Sequence, residues 1–131
     1  MKRSIQTPED IRFLVNSFYE QVLVDPEIGF IFTEVAQINM ETHMPVMYQF
    51  WESILLGKMN YKGNPMIRHI ELHKKVPLTK AHFERWESLF FQTIDQHFEG
   101  EKAELAKQRA QMMGQLMQFK ISQSDQKGFI Q

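Results

Sequence analysis

Apolar residues recur along this chain at steps of three and four, and strict alternation is nearly absent. Ile11, Leu14, Val15, Phe18, Tyr19 and Val22 fall on one face of a helix. Thr7-Pro8-Glu9-Asp10 reads as its start, with Thr7 as N-cap, Pro8 at the first helical position and acids in the first turn. Asp25-Pro26 ends it, because the residue before a proline is pushed out of the helical region. The patch Ile28, Phe30, Ile31 and Phe32 predicts a short helix or turn that covers the core. A second long helix is predicted over 41–56, with the stripe His43, Met47, Phe50, Trp51 and Ile54. Pro45 is tolerated only near a helix start, so the cap is expected near Asn39 or Thr42, and Gly57 is a natural stop.

Lys58 to Asn64 is a polar loop with turn residues Asn60, Gly63 and Asn64. Asn64-Pro65 then opens a short helix carrying Met66, His69 and Ile70 on one side, closed by Pro77. Thr79 caps a third long helix that ends near Gly100, with the stripe Phe83, Trp86, Phe90 and Ile94. A fourth, over about 101–121, sets Ala106, Ala110, Met113 and Met117 on one face. Residues 122–131 are polar and expected to fray. The pattern is that of one all-α domain over 1–131, with its core over about 8–121, four long helices and two short ones.

Composition sharpens this in two ways. The 131 residues include 11 Phe, 9 Met, 3 Tyr and 2 Trp, side chains suited to lining a wide pocket or to filling a bulky helical core. There is no cysteine, which excludes disulfides and thiolate-held zinc or iron–sulfur centres. The net charge of −1 supplies no field to attract nucleic acid or an anionic membrane. The N-terminal stretch has no apolar run behind Lys2 and Arg3, and no segment approaches a membrane span, so a cytoplasmic protein is the default.

The five histidines carry the chemical information. No His-Glu-x-x-His spacing and no repeated Glu-x-x-His pair is present, so a multi-ligand metal site has little support. His43 lies inside an apolar stripe, and so does His69, one turn into its short helix. Either alone reads as a partly buried structural histidine. Together, on separate apolar helices in a chain rich in Phe, Met and Trp, they meet what haem needs: one neutral imidazole on a fixed helix, and polar groups in an apolar cavity opposite.

Further along, the residues resemble a known family. Asp10-Ile11 is followed by Leu14-Val15 and Phe18-Tyr19-Glu20; Asp25-Pro26-Glu27-Ile28-Gly29 by Ile31-Phe32; His43 by Phe50-Trp51. Tyr61-Lys62-Gly63-Asn64-Pro65 comes with His69, His82-Phe83-Glu84-Arg85-Trp86 with Leu89-Phe90, and Arg109-Ala110 lies in the last helix. These blocks, in this order and spacing over about 8–121, resemble the truncated haemoglobins, most of all their third group. The resemblance implies a shortened globin fold, a two-over-two helical sandwich around haem b (iron protoporphyrin IX). It implies His69 as the iron ligand of a pentacoordinate centre; His73, one turn later, is the rival, and the Tyr-x-Gly-x-Pro-x-x-x-His run selects His69.

Tyr19, His43 and Trp86 match the family's distal polar positions. A Tyr O–H or Trp N–H in an apolar pocket can donate to a diatomic ligand that gains electron density on binding. Each such charge-assisted donor is worth about 1.5–3 kcal/mol, and about 1.4 kcal/mol slows escape tenfold. Phe18, Phe32, Met47, Phe50, Trp51, Phe83 and Phe90 are candidates for apolar contact with haem, as is Trp86 itself, and Tyr61 and Arg68 for its propionates. Met47, one turn after His43, is expected to face the same cavity.

Several donors suit tight holding of O2, NO, CO or peroxide better than delivery, so conversion of NO to nitrate or reduction of peroxide joins ligand binding in the expected repertoire. No flavin or dinucleotide motif is present, so turnover needs an external electron donor. A monomer is expected. The alternative is a haem-free helical binding module that keeps the globin fold; the retained His69 speaks against it.

Overall fold

The computed structural model describes residues 2–58, 73 and 75–126. Among these, the chain forms α1 (Pro8–Leu23), a π-helix (Ile31–Val35), α2 (Met40–Leu56), α3 (Lys80–His97) and α4 (Glu101–Gln126), with no strand. The short helix expected around His69, with Tyr61 and Arg68 before it, lies outside the described residues.

Each long helix begins where its local chemistry supplies the missing donor partners. Thr7 Oγ1 accepts the Asp10 N–H at 3.3 Å, and the Asp10 carboxylate accepts the N–H groups of Gln6 and Thr7 at 2.9 and 3.1 Å. Burial works to raise the Asp10 pKa, but these N–H bonds outweigh it and hold the group below its ordinary value. Asn39 caps α2 by accepting the Glu41 N–H at 3.0 Å. Pro45 therefore sits just past the first turn, and cannot donate to the Glu41 carbonyl as the helix repeat requires. Gly57 closes α2 in the left-handed conformation, at φ 72°.

α1 packs with α2, and α3 with α4; the two pairs cross, α1 against α3 and α2 against α4. This is the two-over-two sandwich that the resemblance implied. Ile11, Leu14, Val15, Phe18, Tyr19 and Val22 of α1 meet Trp51 and Leu55 of α2, Leu89, Phe90 and Ile94 of α3, and Ala103, Ala106 and Ala110 of α4 in one core. Polar links pin the helices at fixed points. The Gln21 amide donates to Thr93 Oγ1 at 3.0 Å between α1 and α3, and the Tyr48 hydroxyl to Asn16 at 2.6 Å between α2 and α1. Lys102 of α4 donates to the Leu55 carbonyl at the end of α2, at 2.6 Å.

The structure refines one sequence expectation and departs from another. The patch after Gly29, expected as a short helix or turn, is a helix of the π type, closed by an Ala36 N–H to Ile31 carbonyl bond of 2.8 Å. The wider turn sets Phe32 edge-on against Tyr19, with ring centres 6.0 Å apart. α4 runs on to Gln126 instead of fraying after Ile121. Ile121 is its last buried apolar residue, and the polar residues beyond it continue the helix because none of them breaks one.

The segment between α1 and the π-helix is held by Asp25. One oxygen accepts the N–H groups of Glu27 and Ile28 at 2.9 and 3.1 Å; the other accepts Arg85 Nε at 2.9 Å and Nη2 at 2.6 Å from α3. Gly29 follows because a Cβ there would stand 2.9 Å from the Leu23 carbonyl oxygen. The Arg85 hydrogen bond leads the influences that hold Asp25 below its ordinary pKa. A depressed carboxyl adds stability that is present above its unfolded value of about 3.9 and is lost as pH falls through the folded one. Asp25→Asn should therefore lower Tm at pH 7 by more than about 5 °C and flatten the loss of stability below about pH 4. Thermal unfolding of both proteins from pH 7 to pH 3 checks this; parallel curves would remove Asp25 from the account.

Candidate functional site

Aromatic packing at the α1–α3 crossing builds the floor of the site. Phe18 meets Tyr19, Trp86 and Phe90 edge-on, with ring centres 5.4, 5.6 and 5.1 Å away. Phe90 stacks against Trp86 at 5.7 Å and 6°, and against Trp51 at 4.9 Å and 23°. Phe18, Trp51 and Phe90 are themselves buried, so they form the inside of the wall and Trp86 its half-open face. α3 holds Trp86 in place from both sides. Its N-terminus is fixed by a reciprocal cap, in which Thr79 Oγ1 accepts the His82 N–H at 3.2 Å and His82 Nδ1 accepts the Thr79 N–H at 3.1 Å. Arg85, the next residue before Trp86, is anchored on Asp25.

Tyr19 reaches from this floor toward α2. Its hydroxyl lies 2.9 Å from His43 Nε2, and the two rings meet at 85°. Burial pushes the Tyr19 pKa far up, so the hydroxyl keeps its proton. With His43 protonated on Nδ1, Tyr19 donates to Nε2. With the proton on Nε2, His43 donates, and Tyr19's own proton is available to a third group. Among the described residues the Trp86 indole N–H has no hydrogen-bond partner. The Tyr19 hydroxyl is thus paired with His43 in either tautomer, whereas the Trp86 indole N–H has no such partner among the described residues.

α2 presents two apolar faces. Trp51 and Leu55 go into the core, whereas His43, Met47, Phe50 and Ile54, at helical spacing, are all only half-covered. Met47, one turn after His43, lies on the same face of α2. Phe83 is half-buried on α3, one turn before Trp86, and Phe32 is half-buried beside Tyr19. Sequence reasoning set Ile54 in the stripe without assigning it to the site; its place two turns beyond Met47 was the available signal. The cap by His82 and the Asp25–Arg85 pair were also missed as supports of Trp86.

His69, Tyr61 and Arg68 lie outside the described residues. The rival His73 does not. Its Nδ1 accepts the Leu78 N–H at 2.9 Å. A neutral imidazole has one lone-pair nitrogen, and here it is spent on the backbone, so His73 in this state has none to give an iron. Among the described residues no group of three or more His, Cys, Asp or Glu is arranged to hold a metal ion, and no helix is long and apolar enough to cross a membrane.

Comparison with known proteins bears on the family and the fold. Residues 4–122 match the family model described as bacterial-like globin. The chain is 32% identical over 116 residues to the group 3 truncated hemoglobin ctb of Campylobacter jejuni, covering 86% of this chain and 89% of that one. The crystal structure of a group III truncated hemoglobin from the same organism superposes with a TM-score of 0.80 at 29% identity, over 92% of this chain and 95% of that one.

The Tyr19–His43 contact makes a direct prediction. Tyr19→Phe should keep the fold, cost about 1 kcal/mol, and shift the His43 ring nitrogen resonances. Unchanged His43 nitrogens in an NMR comparison would show that the two side chains are not bonded in solution.

Proposed function

The chain belongs to the bacterial-like globin family, the truncated haemoglobins, and from that premise we propose that it binds haem b through His69 and takes O2 and other diatomic ligands at a pentacoordinate iron. The observation that carries this reading is the set Tyr19, His43 and Trp86, three hydrogen-bonding side chains in apolar walls that the described chain only half covers. The residues present fit a flat, largely apolar group: the α2 face of His43, Met47, Phe50 and Ile54 and the open side of Trp86 offer apolar contact. With no cysteine in the chain, the group is held without a thioether link to cysteine. Haem, when bound, supplies the iron that takes the ligand and exchanges electrons.

The protein's own part is to hold and discriminate. His69 would hold the iron through a ring nitrogen, and the spent Nδ1 of His73 favours that assignment over its rival. Tyr61 and Arg68 are assigned to the propionates. The Trp86 N–H, which has no partner among the described residues, would donate to a bound ligand without first breaking another bond. Tyr19 adds a second donor when His43 carries its proton on Nε2, so His43 sets how many donors the ligand meets. Donors in such apolar surroundings hold a ligand that has gained negative charge and slow its departure. Slow release favours chemistry on the bound ligand over delivery. We extend the proposal accordingly to the reaction of NO with O2 to give nitrate, which takes up one electron, or the reduction of peroxide to water, which takes up two electrons and two protons, the electrons coming from an external donor.

Titration of the folded chain with hemin, followed by reduction and CO, tests the reading. A saturable Soret band that shifts with CO is expected. It should be lost in His69→Gly, return on addition of imidazole, and persist in His73→Gly. A folded chain that takes up no hemin would instead be a helical binding module that retains only the fold.

A further inference from the structure

The stretch from Asp25 through the π-helix lies between the surroundings of Tyr19 and those of Trp86. On one side Phe32 meets the Tyr19 ring at 6.0 Å and 80°. On the other, the stretch meets α3 at two points about one turn apart. Phe30 stands edge-on to His82 at 6.3 Å and 70°, and Arg85 reaches Asp25 and, at 3.3 Å, Glu27. The Asp25 side chain is only 2% exposed, and its two oxygens serve different partners. One accepts the Glu27 and Ile28 N–H groups and folds the stretch on itself; the other accepts Arg85 Nε and Nη2 and ties it to α3. An asparagine could not do both, because its NH2 would face donors on one side or the other.

Trp86 itself is set by apolar contacts, an edge against Phe18 and a 6° stack on Phe90. These contacts fix the plane of the indole but resist sliding within it only weakly, since offset stacks differ little in energy. The directional contact next to Trp86 along the chain is the guanidinium of Arg85, a rigid fork gripped by a buried carboxylate. We infer that Asp25 and Arg85 are positioning residues for the Trp86 donor. They lock α3 against the stretch at 25–35 and so hold the indole N–H at the setting from which it donates to a bound ligand. This rests on the function proposed above and adds to it: a pair that touches no ligand governs ligand release, and does so through Trp86.

The test needs a readout that plain loss of stability would not move. The chain has 2 Trp, so two indole N–H signals are expected in a nitrogen–proton NMR spectrum of the full-length haem-free protein, and Trp86→Phe identifies one of them. Arg85→Gln should shift or broaden the Trp86 signal and leave that of Trp51 in place, and Arg85→Lys, which keeps the charge without the fork, should do so less. In the haem-loaded ferrous protein Arg85→Gln should speed O2 dissociation by about threefold to tenfold, and should add nothing to Trp86→Phe. Asp25→Asn should follow Arg85→Gln in both readouts. An unmoved Trp86 signal, equal movement of both signals, or an effect on release that persists undiminished in the Trp86→Phe background would show that the pair only braces the fold, and the inference would be wrong. Should Arg85→Gln not fold, Arg85→Lys decides by the same criteria. A wild type that takes up no hemin would overturn the functional reading and this inference with it; normal uptake with an unmoved Trp86 signal removes the pair alone.

Discussion

A phenol buried among aromatic rings must find a partner for its hydroxyl, and much of this architecture answers that requirement. Tyr19 sits within Phe18 and Phe32, away from water, and His43 Nε2 at 2.9 Å is what satisfies it. The bond joins α1 to α2 and so fixes their register at the site. It also ties His43, on the half-covered face of α2, to α1. The phenol remains protonated because burial penalises its anion, which keeps the pair neutral.

The supports around this bond are layered by distance. Phe18 touches Tyr19, Trp86 and Phe90 at once, so a change in the setting of α3 would be felt at the tyrosine. The cap at Thr79 and the Asp25–Arg85 pair set that helix. The sequence blocks around Asp25 and around Trp86, far apart along the chain, are thus one mechanical unit. Against this rigid background the donors differ in availability: Tyr19 answers to His43, and Trp86 answers to no described residue. On the proposed function, Trp86 would hold a ligand at once and the tautomer of His43 would tune the grip.

Much of the fold was legible because helical periodicity is a strong signal. The stripes from Ile11 to Val22 and from Phe83 to Ile94 gave α1 and α3, and Thr7, Thr79 and Gly57 marked their limits or that of α2. The π-helix was not legible, since a π-turn and an ordinary turn require the same apolar residues. The run of α4 to Gln126 was missed because polarity was taken as an end signal, whereas it only marks exposure. Tyr19, His43 and Trp86 are singled out as distal only by the resemblance; periodicity alone sets them among core aromatics. The His82 cap was hidden because a histidine rarely plays the part of Glu or Gln at that position. The Asp25–Arg85 pair spans 60 residues of sequence, which no local pattern reports.

The account turns on which donor is free. The most direct measurement is the O2 dissociation rate of the ferrous haem-loaded protein, compared between Trp86→Phe and Tyr19→Phe. Loss of the unspent Trp86 donor should speed release by about tenfold to a hundredfold, and loss of the already engaged Tyr19 hydroxyl should change it much less. A Tyr19→Phe effect of that size, with Trp86→Phe close to wild type, would contradict the account.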